Sequence, residues 1–185
     1  PFVRSEPRPA SQRKAGVIMA ARFARQKDHA TLIKAIALLK HEGLEVSVQL
    51  AGAGRLAHEN VIHALCRQCG VEDQVSFLGR VDDVPQLLQA HRVCVLSTHY
   101  EGQPLALLEG MAAGCAVVGS RVVGVQELLR PGVDGLLAEP GDAASLAAAL
   151  RRALTEDALA DQLGAAARDR VLHHFGLQHM AERYE

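Results

Sequence analysis

Short, unbroken apolar runs recur along the chain, each followed by a stretch in which apolar residues return every three or four positions. The runs at 15–21 (AGVIMAA), 45–51 (EVSVQLA), 74–79 (QVSFLG), 92–97 (RVCVLS) and 115–120 (CAVVGS) read as strands, and a sixth, shorter one lies within 134–140 (DGLLAEP). Helical patterns fill the intervals. The first opens on Asp28 as N-cap, gathers Leu32, Ile33, Ala35, Ile36 and Leu39 on one face, and ends at Gly43. Others span 56–69, closed by Gly70, then 82–91 and 104–113, with helical turns at 125–130. Alanine- and leucine-rich helices are expected over 142–154 and 157–173, and a last one begins near Leu177. The strands are apolar throughout rather than alternating, so both faces of their sheet are covered. That predicts an α/β fold: a doubly wound, parallel, Rossmann-like sheet of about six strands with helices on both faces. The domain is expected over 15–173, with 1–14 a linker or tail and 174–185 a C-terminal helix packing back toward another domain.

Composition narrows the function classes. The net charge of -1 lacks the basic excess of a nucleic-acid binder, and with 3% aromatics and no Trp there is little to stack bases on. Cys66, Cys69, Cys94 and Cys115 sit in apolar or helical patterns rather than a disulfide framework, which points to a reducing, cytoplasmic setting. The opening PFVRSEPRPASQRK is polar and proline-rich, unlike a signal peptide. The longest uncharged apolar run, 110–119, falls short of the roughly 18–20 residues a membrane span needs. A chain opening on Pro1 and a linker-like stretch is expected to be a piece of a longer protein.

Ligands of such sheets bind at the carboxyl ends of the strands, so the loops there are where chemistry is expected. After the first strand, ARFARQKDH places Arg22, Arg25 and Lys27 together; Arg22 and Lys27 read as anion-binding groups, or the whole segment as a solvated basic loop. After the second, Gly52-x-Gly54-x-x-Ala57 mimics a dinucleotide fingerprint, with Glu72 and Asp73 roughly 20 residues on, but another strand–helix unit precedes it. His63, Cys66 and Cys69 recur every third position of one helix; they read as zinc ligands or as buried small residues, with no second pair at finger spacing. After the fourth strand comes YEGQPLALLEG. Pro104 suits the first helical position, leaving the amides of Leu105, Ala106 and Leu107 free for an anion. Glu101 precedes that helix and Glu109 lies on its second turn. Two carboxylates are pure acceptors, so a ligand with a central phosphate and hydroxyl-rich groups on either side, a nucleotide sugar, fits them. A helix start with two surface acids fits the same residues.

Together, EGQPLALLEGMAAG, VVGSRVVGVQELL and GVDGLLAEPGD resemble the donor-binding half of retaining glycosyltransferases of the GT-B fold, the family whose signature is Glu, seven residues, Glu. ARFARQK, LAGAG and VSFLGRV match further elements in order, and the resemblance covers about 15–185. It implies that Arg22 and Lys27 bind the diphosphate and stabilise the leaving group, helped by the Leu105 and Ala106 amides. By the same resemblance Glu101 holds sugar hydroxyls and acts in catalysis as a positioner, and Glu109 holds the ribose. Arg80 lies at the base, Gly52 in the loop after the second strand, and Gly102, Gln103 and Pro104 shape the loop under the sugar. The implied donor is UDP- or GDP-linked, with no metal or other cofactor, and there is no Asp-x-Asp motif. The implied acceptor is a glycan or glycolipid bound by an N-terminal domain, in bacterial lipopolysaccharide, capsule or other glycan synthesis, with peripheral association at the cytoplasmic face of the inner membrane. The chain departs from the family pattern at Gly110, where alanine is common, at Ala116, where proline is usual, and at Val123, where the first of two glycines is expected. Those departures keep open a non-catalytic nucleotide-sugar binding module, and Gly52 and Gly54 keep open an NAD-binding domain.

Overall fold

The computed structural model describes residues 7–174. Six strands, β1 (Lys14–Ala20), β2 (Ser47–Ala51), β3 (Val75–Gly79), β4 (His91–Leu96), β5 (Ala116–Ser120) and β6 (Leu136–Ala138), form one sheet in the order β3-β2-β1-β4-β5-β6. Every pairing is parallel, in register from Val17 against Val48 to Val93 against Ala116 and Val118 against Leu136. Parallel neighbours need crossovers, and seven helices supply or extend them: α1 (His29–His41), α2 (Leu56–Gln68), α3 (Val84–Ala90), α4 (Leu105–Ala112), α5 (Val123–Leu128), α6 (Ala143–Thr155) and α7 (Asp157–His174). Packing of α1 against α2 and α6 covers one face of the sheet, and α4 against α3 and α7 the other. This is the doubly wound sheet the apolar runs predict. The expected helix from near Leu177, and all but the first residue of the expected C-terminal segment 174–185, lie outside the described residues.

The uniform apolar runs become the sheet's centre because β1 and β4 are covered twice. Val17, Ile18 and Met19 of β1 and Val93, Cys94 and Val95 of β4 are all fully buried. Each large aliphatic side chain so buried contributes roughly 1.5–3 kcal/mol. Helix starts are fixed by aspartates: Asp28 accepts from the Thr31 amide at 3.1 Å, Asp83 from Gln86 at 2.9 Å, and Asp142 from Ala144 and Ser145 at 2.9 and 3.0 Å.

The amino end of the sheet is closed by the chain's own polar groups. Residues 10–14, read from sequence as the end of a linker, form one 3-10 turn (Ala10–Gln12) and enter β1. The Ser11 amide and hydroxyl donate to Asp161 of α7 at 2.8 and 2.7 Å. Arg13, 5% exposed, donates to the Arg8 carbonyl from two nitrogens at 2.8 and 2.7 Å and to the His91 carbonyl at 3.4 Å. Arg92 similarly ties β4 to the α6–α7 corner through the Ala153 carbonyl at 2.9 Å and Asp157 at 2.6 Å.

At the opposite, carboxyl end, β1 and β4 are neighbours whose connections depart to opposite faces, since α1 and α4 cover different sides. Their loops, 21–28 and 97–104, therefore part over a crevice, the topological switch point of the fold.

Candidate functional site

The two loops at the switch point are stitched together before any side-chain chemistry begins. The Asp28 amide donates to the Ser97 carbonyl at 3.0 Å, the His99 amide to the Gln26 carbonyl at 3.0 Å, and the Thr98 hydroxyl to the same Gln26 carbonyl at 3.0 Å. The Gln26 side chain reaches across to the Tyr100 carbonyl at 2.8 Å. This register sets Lys27 opposite Glu101. Their ammonium and carboxylate form an ion pair, with side chains only 14% and 10% exposed. Two residues 74 positions apart are thereby joined at the mouth of the sheet.

At the carboxyl ends of β1 and β2 lies a cavity of about 240 Å³ whose lining includes Arg22, Gly52, Arg80, Val84 and Glu109. Four sequence-predicted residues thus converge on one concavity. Arg22 and Arg80 are exposed and make no hydrogen bond or ion pair with any described residue. Glu109 is half-buried, and desolvation raises its carboxyl above the usual carboxylate range. The arrangement presents guanidinium donors suited to an anion, and a carboxylate suited to hydroxyls.

The helix start differs from the expectation at two of its three amides. Pro104 is the N-cap rather than the first helical residue, with φ -80° and ψ 69°, the geometry of an inverse γ-turn. The turn directs the Leu105 amide to the Gln103 carbonyl at 2.9 Å, and the Leu107 amide donates to Pro104 at 3.0 Å. The Ala106 amide alone of the three has no acceptor among the described residues. Gly102 and Gln103 are exposed at the rim of the crevice.

The glycines of the dinucleotide-like motif have another explanation. A Cβ on Gly52, at φ 150°, would stand 2.2 Å from the Ala21 carbonyl oxygen, and one on Gly54 would stand 2.3 Å from that of Phe23. Both glycines let the loop after β2 pass under the loop after β1. Two residues of the zinc alternative have structural places. His63 stacks on Phe77 with ring centroids 3.6 Å apart while Cys66 is buried, its thiol pushed up to about 11 by burial. No group of three His, Cys, Asp or Glu side chains able to hold a metal occurs among the described residues.

The departures from the family pattern have distinct places. Gly110 sits over Cys94, where a Cβ would approach the sulfur to 2.6 Å. Ala116 is buried at the start of β5. Val123 is 71% exposed, whereas Gly124, which sequence reasoning touched only as the second of two expected glycines, is tightly confined. A Cβ on Gly124 would lie 2.3 Å from the Glu101 carbonyl oxygen, to which its own amide donates at 3.2 Å. The signal was available: a glycine just past the fifth strand, at the same end of the sheet as Glu101.

The family described as glycosyl transferases group 1 matches residues 4–170. The chain is 33% identical over 141 residues to N-acetyl-alpha-D-glucosaminyl L-malate synthase of Bacillus anthracis, covering 76% of this chain and 37% of that protein. It is 31% identical over 168 residues to the lipopolysaccharide core biosynthesis glycosyltransferase LpsE of Rhizobium meliloti, covering 91% and 48%. Among solved structures, Anabaena HepE in complex with UDP and glucose superposes with a TM-score of 0.85 at 24% identity, over 94% of this chain and 49% of that one. The chain spans half or less of the length of these relatives.

Proposed function

The chain belongs to the glycosyl transferases group 1 family, and from that premise we propose that it binds a nucleotide-diphosphate sugar at the β1/β4 switch point. The observation that carries this reading is the Lys27–Glu101 pair over the crevice, together with the cavity of Arg22, Arg80 and Glu109. Arg22 and Lys27 take the diphosphate, with the Ala106 amide behind them. Glu109 takes the ribose hydroxyls, Arg80 lies at the base, and Glu101 takes hydroxyls of the sugar. The crystal complex of HepE with UDP and glucose supports a uridine donor, with GDP the other candidate.

With an N-terminal acceptor domain, the protein transfers the sugar with retention of configuration. The bond between the anomeric carbon and the diphosphate oxygen breaks as the acceptor oxygen bonds to the same face. The acceptor's proton passes to the departing phosphate oxygen. Negative charge grows on the diphosphate, where fixed cations lower the barrier; one such preorganised donor is worth about 3–4 kcal/mol. Glu101 orients the sugar. On this reading no metal is required. The name of the lipopolysaccharide core relative supports a role in bacterial lipopolysaccharide, capsule or related glycan synthesis. No described helix is long and apolar enough to cross a membrane, and the site of action proposed is the cytoplasm, at or near the inner face of the membrane.

Calorimetric titration with UDP, GDP, ADP and NAD tests the binding half: a uridine or guanosine diphosphate binds and NAD does not. Saturable binding of NAD alone would replace this reading with the dinucleotide one. In the full-length protein, Glu101→Ala and Arg22→Ala lower turnover; unchanged turnover in both would leave a non-catalytic binding module.

A further inference from the structure

The loop after β1 separates two concavities. One is the donor cavity. The other, about 390 Å³, lies on the α1–α2 side and is lined by Phe23, Arg25, Lys27, Asp28, His29, His58 and His99 among others. Its volume is at the small end of ligand pockets, room for a compact polar molecule.

Its chemistry is one-sided. Arg25 and Lys27 carry fixed positive charge, His58 and His99 add ring nitrogens, and the single carboxylate in the lining is Asp28. That carboxylate is already committed: one oxygen caps α1 through the Thr31 amide at 3.1 Å, and the other lies 3.6 Å from His99 Nε2. Arg25 makes no hydrogen bond or ion pair with a described residue. His29 is 2% exposed, stacked on Phe23 with centroids 4.5 Å apart. Its Nδ1 faces the Lys27 carbonyl at 3.1 Å, and a carbonyl only accepts, so Nδ1 carries the proton. Its Nε2 is buried without a hydrogen-bond partner. His58 Nδ1 faces the Phe23 carbonyl at 3.4 Å, so an unpartnered Arg25 guanidinium beside the unpartnered His29 Nε2 is what the cavity offers, and it suits a ligand with both an anionic group and a hydroxyl. The apolar floor of Phe23, Val61 and Ile62 suits its carbon frame.

We propose that this second cavity is a binding site for a small hydroxylated anion, a phosphate- or carboxylate-bearing sugar, polyol or hydroxy acid, held through Arg25 and His58. Lys27 lines this cavity and pairs with Glu101 over the crevice, so a ligand here lies beside the sugar end of the donor. Resting on the donor reading for its role, the site holds the acidic group of the acceptor, and the anion tunes acceptor choice from the donor half.

The test is a heteronuclear NMR titration of the 15N-labelled chain with inorganic phosphate, with malonate as the carboxylate arm and glucose as the neutral control. UDP affinity is measured in parallel. Shifts at Ala24, Arg25 and His58 that saturate with phosphate or malonate are expected. Arg25→Ala with His58→Ala weakens that binding by about tenfold, the loss expected for charge-assisted hydrogen bonds, and leaves UDP affinity unchanged. Which anion saturates first identifies the acidic group. The proposal is overturned if glucose shifts the same residues as strongly, or if the anions perturb only Arg22 and Arg80. Anion binding that survives the double change also overturns it. Failure of UDP binding with the anion site intact would sink the donor reading and leave this site standing.

Discussion

The two ends of the sheet both gather arginine and histidine, yet they use them in opposite ways. At the amino end, Arg13 is buried with its guanidinium bonded to carbonyls of the fold, and burial lowers its basicity. Arg92 and His91 are held likewise, the latter with Nδ1 on the Leu87 carbonyl at 2.8 Å. At the carboxyl end, Arg22, Arg25 and Arg80 have no described partner, and Lys27 has a carboxylate that the crevice itself shares. Basic side chains buried against carbonyls of the fold hold it together, and exposed arginines without a protein partner are available to a ligand. The contrast assigns function by what each charge lacks.

The largest expected effect falls at the carboxyl end. Arg22→Ala in the full-length protein should reduce turnover by about 10²–10³, corresponding to one lost preorganised donor, while the denaturation midpoint of the chain barely moves. Steady-state kinetics beside urea unfolding separates the two. Next comes the amino end: Arg13→Ala should destabilise the chain by about 3 kcal/mol, because buried carbonyls lose a charged donor. Nucleotide affinity of the folded fraction should be unchanged. A reversal of these two outcomes would dissolve the comparison.

Gly124→Ala sharpens it, since this residue belongs to the fold yet abuts the Glu101 backbone. Crowding at a packed site costs about 1–3 kcal/mol, and here the displaced atoms carry the catalytic loop. Donor affinity and stability should therefore fall together, unlike either arginine change. Val123→Ala, at the neighbouring exposed position, should alter stability by less than about 0.5 kcal/mol.

The smallest effect concerns Glu109. Burial raises its folded-state pKa above the ordinary 4.5, so the native state holds the proton more tightly than the unfolded chain. The stability this contributes is present in full below pH 4.5 and is lost as pH rises through the folded value. Glu109→Gln should thus raise the melting temperature of the ligand-free chain slightly at pH 7 and not at pH 4, while weakening nucleotide binding at pH 7. Equal shifts at both pH values would contradict a buried, titrating carboxylate.

How much of this was legible beforehand follows from the range of the forces. The strands were readable because continuous apolar runs such as VIMA and VCVL have only one home, a sheet covered on both faces. Helix starts at Asp28 and Asp142 were readable because caps are local. The convergence of Arg22, Gly52, Arg80 and Glu109 followed from the rule that loops at strand carboxyl ends meet. Lys27 facing Glu101 was not readable, because it depends on the register between β1 and β4 loops that three crossovers separate. Pro104 as a cap rather than a first helical residue turned on one ψ angle, and that angle removed two of three expected amides from service. Gly52 and Gly54 fit two readings because a tight turn near a phosphate and a tight crossing of two loops require the same residue. His58 and His99 gave no signal in the chain, being single histidines brought to one cavity only by tertiary packing.

The central claim is that the Lys27–Glu101 crevice, together with the cavity of Arg22, Arg80 and Glu109, is the donor site. A crystal structure of the chain with a bound UDP-sugar tests it most directly. The account predicts the diphosphate within hydrogen-bond distance of Lys27, Arg22 and the Ala106 amide, the ribose on Glu109, and the sugar on Glu101. A nucleotide lying along Gly52 and Gly54, with Lys27 and Glu101 still paired and untouched, would contradict it.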